Sequence, residues 1–130
     1  MASNSSDTSP ALVAPDARNL HDAAFGRFVA EALVRACRTY RDAVLLAWDH
    51  RSRKSLTQRA LAEECGLYAP HVSSYLHPEP LDNKKRPRLD LPADCIDAFE
   101  EAVGNHAIRQ YLNHLGRLTI MEEVIAQRAA

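Results

Sequence analysis

One stretch constrains this chain more than any other: Leu56–His77, LTQRALAEECGLYAPHVSSYLH. It reads as two short helices joined by a tight turn. The first runs over Thr57–Cys65, with the Thr57 hydroxyl placed to cap it. Gly66 then supplies the left-handed backbone that ends a helix without a Cβ clash, and Leu67 turns back toward the core. The second helix is expected over Ala69–His77, with Val72 and Tyr75 three apart on its buried face. Ala62 stands where a bulkier side chain would obstruct the crossing helix.

Two helices crossing steeply need a small residue at the crossing, a turn with positive φ, and apolar residues on both sides of it. Leu61, Ala62, Cys65, Gly66, Leu67, Val72 and Tyr75 fill those slots in register. The spacing therefore predicts a helix-turn-helix. An ordinary αα-hairpin is the plain alternative, but many constrained positions agree at once.

At these residues the segment resembles the helix-turn-helix of the lambda-repressor and Cro family, the Xre type. The LTQ opening, the Leu61-Ala62 pair and the Gly66-Leu67 turn carry the resemblance. The Leu67-Tyr68 pair and the Leu76-His77 ending are similar to phage Cro-like regulators. A weaker likeness, to the helical tail of small prophage-encoded regulators, continues through LPADCIDAFEEAVGNHAIRQYL. The motif itself covers about a sixth of the chain, and the first 50 residues carry no resemblance.

The resemblance implies an all-α, lambda-repressor-like domain; the apolar periodicity adds an extended N-terminal helix, longer than the single short helix that precedes such a motif in the family, and a C-terminal helical extension. It implies a sequence-specific regulator that binds double-stranded DNA as a homodimer on a palindromic operator, of the phage repressor kind. The second motif helix would lie in the major groove, presenting Tyr68, Ala69, Pro70, His71, Ser73, Ser74 and His77 to base edges. The first would set its N-terminus across the backbone, where Gln58 matches the family's phosphate-binding glutamine. The outward residues depart from the usual readers. Tyr68 replaces the Ser or Thr that usually caps this helix. None of the seven is Arg, Lys, Asn or Gln, the strongest bidentate partners of guanine and adenine. Ala69 and Pro70 offer apolar contact to a thymine methyl, the serines and histidines weak polar contact, and DNA shape is left to carry much of the discrimination.

Charge distribution agrees with a phosphate-facing surface. The whole chain carries −1, yet Arg51–Arg88 holds eight Lys/Arg against four Asp/Glu, a balance of +4 that leaves −5 elsewhere. The backbone-contacting candidates are Arg51, Arg53, Lys54, Thr57, Gln58, Arg59 and the loop cations Lys84, Lys85, Arg86 and Arg88. Alone, the loop cations would read as a solvated surface. Beside the motif they read as phosphate contacts.

In chain order, residues 1–18 lack periodicity and are expected to be a disordered tail. Asn19 or Asp22 would cap a helix whose face is Phe25, Val29, Ala32, Leu33, Ala36 and Tyr40, resuming at Val44, Leu45, Ala47 and Trp48. One long helix or two in series both fit. Residues 19–116 form the helical domain. Prolines 78, 80, 87 and 92 keep the loop to Leu91 extended, either as plain loop or as a hairpin-like extension. Pro92 opens a helix faced by Ile96, Phe99 and Val103, and Gly104 stops it. Asn105 caps the next, with Ile108, Tyr111, Leu112 and Leu115 as its buried set. Gly116 is expected to stop that helix, and Thr119 with Glu122 to open a last one over residues 117–130.

With 46% apolar and 25% charged residues the chain can bury a core unaided. Cys37, Cys65 and Cys95 lack paired spacing and read as apolar residues of a reducing cytoplasm. No secretory or membrane-spanning stretch occurs, so a place in the bacterial cytoplasm or nucleoid is expected. No phosphate loop, HExxH or GxSxG occurs, and the scattered histidines form no metal set. Neither catalysis, cofactor nor metal is expected. Two rival functions are a DNA-binding antitoxin and a helical protein-interaction module without specific DNA binding.

Overall fold

The computed structural model describes residues 27–129. The expected tail over 1–18, the caps at Asn19 and Asp22, and Phe25 lie outside the described residues. Within them the chain is all-α, with no strand and one isolated antiparallel bridge, Leu81 to Pro87. The helices are α1 (Glu31–Ala36), α2 (Tyr40–Asp49), α3 (Gln58–Cys65), α4 (Ala69–Tyr75), α5 (Ile96–Val103, entered through a 3₁₀ turn at Ala93–Cys95) and α6 (Ala107–Ala129).

Among the described residues, two short helices in series, not one extended helix, precede the motif. The break at Cys37–Thr39 needs neither glycine nor proline, because Thr39 and Asp42 form a capping box. The Thr39 hydroxyl accepts the Asp42 N–H at 3.1 Å, and the Asp42 carboxylate accepts the Thr39 and Arg38 N–H groups. A strong start signal at Thr39 outcompetes continuation of α1. Consequently the stripe shifts, with Val34 buried and Leu33 exposed.

The core joins Val44 and Ala47 of α2, Leu61 and Ala62 of α3, Val72 and Tyr75 of α4, Phe99 and Val103 of α5, and Ile108 and Tyr111 of α6. α2 lies along the first turns of α6, while α3 packs on both α4 and α5. Trp48 is half-buried against this core, and Arg51 lies over its ring at 4.1 Å.

Gly66 and Gly104 both end helices in the left-handed region, at φ 66° and 79°. Gly104 is the more constrained, because a Cβ there would meet the Ser52 hydroxyl at 2.5 Å.

Gly116 does not stop a helix. α6 runs through it to Ala129, across the boundary expected at residue 116. Thr119 stands mid-helix, its hydroxyl donating to the Leu115 carbonyl at 3.1 Å instead of capping. A single glycine costs a helix only about 1 kcal/mol, and the helix formers around it outweigh that. Leu112 and Leu115, expected buried, are exposed because α6 leaves the core after Tyr111. No neighbouring atom lies within 4 Å of a Cβ built on Gly116. Gly116→Ala is therefore expected to raise amide-exchange protection over the outer part of α6 about fivefold, the equivalent of about 1 kcal/mol. Unchanged protection would mean that this part is not helical in solution.

No helix among the described residues is long and apolar enough to cross a membrane.

Candidate nucleic-acid interface

α3 and α4 meet through the turn Gly66–Tyr68. Thr57 caps α3, its hydroxyl accepting the Ala60 N–H at 3.1 Å, so Gln58 and Arg59 occupy the exposed first turn. The Gly66 and Leu67 N–H groups both donate to the Ala62 carbonyl. Leu67 packs half-buried on the core and sets the angle at which α4 departs. α4 ends at Tyr75 with Leu76 as its cap, two residues short of the expected His77.

Three anchors fix α4. Val72 and Tyr75 are buried against the core. At the helix start Tyr68 makes no capping bond, and Pro70 occupies the first turn, where its missing N–H costs nothing. At the helix end the last carbonyls face a cation. Arg41 of α2, with a side chain only 6% exposed, donates Nη1 to the carbonyls of Ser74 (2.7 Å) and His77 (2.9 Å). Its Nη2 donates to the Leu89 carbonyl and to Asp90 Oδ1, both at 3.0 Å. One guanidinium thus closes the C-terminus of α4 and ties in the loop that follows. Sequence reasoning missed it. The visible signal was a charge set in the apolar stripe of Val44, Leu45 and Trp48.

The seven groove candidates separate by what holds them. Tyr68, Ala69, Pro70 and Ser73 are exposed, along the outer side of α4. His71 is half-buried, its ring edge-on to Tyr68 at 4.6 Å and 6.3 Å from Tyr75. The Ser74 hydroxyl accepts the Leu89 N–H at 2.9 Å, and His77 Nδ1 accepts the Glu79 N–H at 3.0 Å. Ser74 and His77 therefore support the following loop and are not free at the surface.

The cations divide in the same way. Arg53 forks onto Glu64 at 2.7 and 3.0 Å and reaches the Ala102 carbonyl, and this contact holds the Glu64 carboxyl below its usual range. Arg51 donates to the carbonyls of Trp48 and Lys54, and Arg88 is half-buried; the Nε of each is enclosed without a partner. Lys54, Arg59, Lys84 and Lys85 are exposed and form no ion pair with any described residue.

The loop is a small hairpin. Asp82 and Arg86 pair through N–H to carbonyl at 2.9 Å, and the Arg88 N–H returns to the Pro80 carbonyl at 2.8 Å. Asp82 organises the tip. Its Oδ1 accepts the Lys84 and Arg86 N–H groups at 2.8 and 2.9 Å, and its Oδ2 accepts Arg86 Nε at 3.0 Å. These bonds, the Arg86 N–H foremost, lower the Asp82 pKa. Lys85 takes φ 64°, which turns the chain and leaves both lysines at the tip in solvent.

A second polar cluster was also missed. Glu100, buried on α5, accepts from the Arg109 N–H at 3.0 Å and lies 2.9 Å from His106 Nδ1. It locks the α5–α6 corner. Among the described residues no three His, Cys, Asp or Glu side chains converge as a metal set. Burial first, then Glu64 and Cys95, pushes the Cys65 thiol up to about 11. A protonated thiol of that kind is a packing group and a poor nucleophile. The chain matches no known protein family, no curated protein and no solved structure.

Proposed function

We propose that this chain is a sequence-specific double-stranded DNA-binding regulator, a homodimer of the phage-repressor kind in which α3 and α4 act as a helix-turn-helix. The observation that carries the reading is the pairing of an anchored helix with an open outer side. α4 is held at its end by Arg41 yet leaves Tyr68, Ala69, Pro70 and Ser73 bare, and exposed cations on the segments before and after it have no described acidic partner. The likeness of Leu56–His77 to the lambda-repressor and Cro family supports the same reading.

In this reading α4 enters the major groove. Ser73 is its polar base contact, and Ala69 and Pro70 its apolar ones. Gln58, Arg59 and Lys54 hold one phosphate strand and the Lys84–Lys85 tip another. Half-sites would stand about 34 Å apart. Neutralising about 4–6 phosphates per copy gives a slope of log K against log salt near −4 to −5 for each copy bound.

Selection from a random duplex library at near-physiological salt tests this directly. An enriched inverted repeat is the expected result. Lys84→Ala with Lys85→Ala should then weaken binding to every duplex alike, about tenfold or more, and flatten the salt slope by about 2 for each copy bound. Arg86 is left in place because its guanidinium belongs to Asp82. Ser73→Ala should blur site preference with little change in nonspecific affinity.

One observation favours a second reading, a protein-interaction module. The bare side of α4 lacks Arg, Lys, Asn and Gln, while Tyr68 is 63% exposed. Retention of DNA that vanishes with salt and enriches no sequence would replace the first reading with this one.

A further inference from the structure

We infer that the outer part of α6 is a dimerisation helix whose occupant is the same helix of a second copy, packed parallel. The inference names the surface of the homodimer proposed above. Its test reads mass, so DNA binding can fail without it and it can fail without DNA binding.

The inner face of α6 begins as core, with Ala107, Ile108 and Tyr111 buried. Asn113, His114 and Arg117 still border a cavity shared with Glu31 and Arg35 of α1. Beyond His114 the helix continues for about 22 Å, and every residue from Leu115 to Ala129 is exposed. The apolar stripe does not end where the cover ends. Leu118, Met121 and Ile125 continue it at spacings of three and four, and are 45%, 59% and 63% exposed. Leu115 and Val124 widen it on either side. A helix with no partner would carry polar residues at these positions.

The flanking charges choose the occupant. Take Leu118 and Ile125 as first positions of a seven-residue repeat and Met121 as the fourth. Arg117 then stands just before the first and Glu122 just after the fourth. In a parallel pair these are the facing flanks, and each side chain meets the one five residues on in the partner helix. Arg117 of each copy therefore meets Glu122 of the other, twice by symmetry. Five residues apart on one helix they do not face each other, and neither forms an ion pair with a described residue. An antiparallel pair would bring Arg117 to the flank of Arg117 and Val124, and Glu122 to that of Glu122 and Leu115, with no opposite charge to meet. Gly116, on the opposite side of α6, stays clear of the contact.

The test is the mass of the full chain by light scattering across a dilution series, without DNA. The wild type should move between twice the 14.5 kDa chain mass and the monomer. Leu118→Glu, a surface change that leaves the core untouched, should raise the dissociation constant at least about 100-fold with unchanged helicity. Glu122→Arg alone sets like charges together and should raise it about tenfold; adding Arg117→Glu should bring it back near the wild-type value. A wild type that is monomeric at every concentration would overturn the inference, as would a dimer indifferent to Leu118→Glu. Failure of the double exchange to restore the dimer would overturn the parallel pairing.

Discussion

Arg41→Ala is expected to remove about 2–4 kcal/mol of folding stability, read as a shift in the urea midpoint at unchanged slope. That is a large share of the roughly 5–15 kcal/mol a domain of this kind commands. The reason lies in what the guanidinium leaves behind. The carbonyls of Ser74, His77 and Leu89 all accept from it in partly buried contacts. Alanine would leave those of His77 and Leu89 without this donor, while the Ser74 carbonyl keeps the Leu76 N–H. An unmet buried acceptor costs about 1–3 kcal/mol. The Asp90 partner contributes less, because its carboxylate is 64% exposed and water replaces the contact. Arg41→Lys separates the two effects. Lysine keeps the charge but not the planar fork, so it should recover only part of the loss. A change below about 1 kcal/mol in Arg41→Ala would show that water enters and satisfies the carbonyls. Because the same bonds close α4, the variant should also loosen that helix, and any DNA affinity should fall beyond what the loss of folded protein explains.

The second large effect is expected at Asn105. This side chain is buried at the corner between α5 and α6 and joins three backbone groups. Its Nδ2 donates to the carbonyls of Ala47 (2.9 Å) and His50 (3.2 Å) at the end of α2, and its Oδ1 accepts the Ala107 N–H at 3.1 Å. It caps one helix at its start and another at its end. Asn105→Ala should cost about 2–4 kcal/mol by thermal or urea unfolding, the loss of a cap added to two stranded carbonyls. Asn105→Asp is the sharper variant. It keeps the acceptor toward Ala107 but turns a carboxylate on two carbonyls, and should be at least as harmful near neutral pH. If Asn105→Asp were as stable as the wild type, the donor role would be wrong and only the cap would matter.

Both residues show how far local sequence carries. Asn105 was legible as a cap, because Asn after a glycine stop is a local signal read within a few residues. Its bonds to α2 were not, since they join positions more than fifty residues apart. Arg41 offered only the oddity of a charge in an apolar stripe. Its acceptors come from two segments that are distant in sequence, and no spacing rule connects them. The candidate interface divides likewise. That Tyr68, Ala69, Pro70 and Ser73 face outward followed from helical spacing around Val72 and Tyr75. That Ser74 and His77 serve the loop, and that Arg53 and Arg86 are already committed to Glu64 and Asp82, depends on where the chain returns.

Turn chemistry and periodicity are short-range, so the sequence alone determined the all-α character, the paired helices around Gly66, the stop at Gly104 and the stripe of Ile96, Phe99 and Val103. It also held the signal for the break before α2, in the Thr39–Asp42 pair, though a continuous apolar stripe masked it. Only the tertiary structure decided how far α6 runs past Gly116, which cations stay free, and that Leu112 and Leu115 are uncovered. Each of these outcomes turns on whether a distant segment arrives to bury, pair or cap a group. That is a matter of packing geometry, to which the period of a helix is blind.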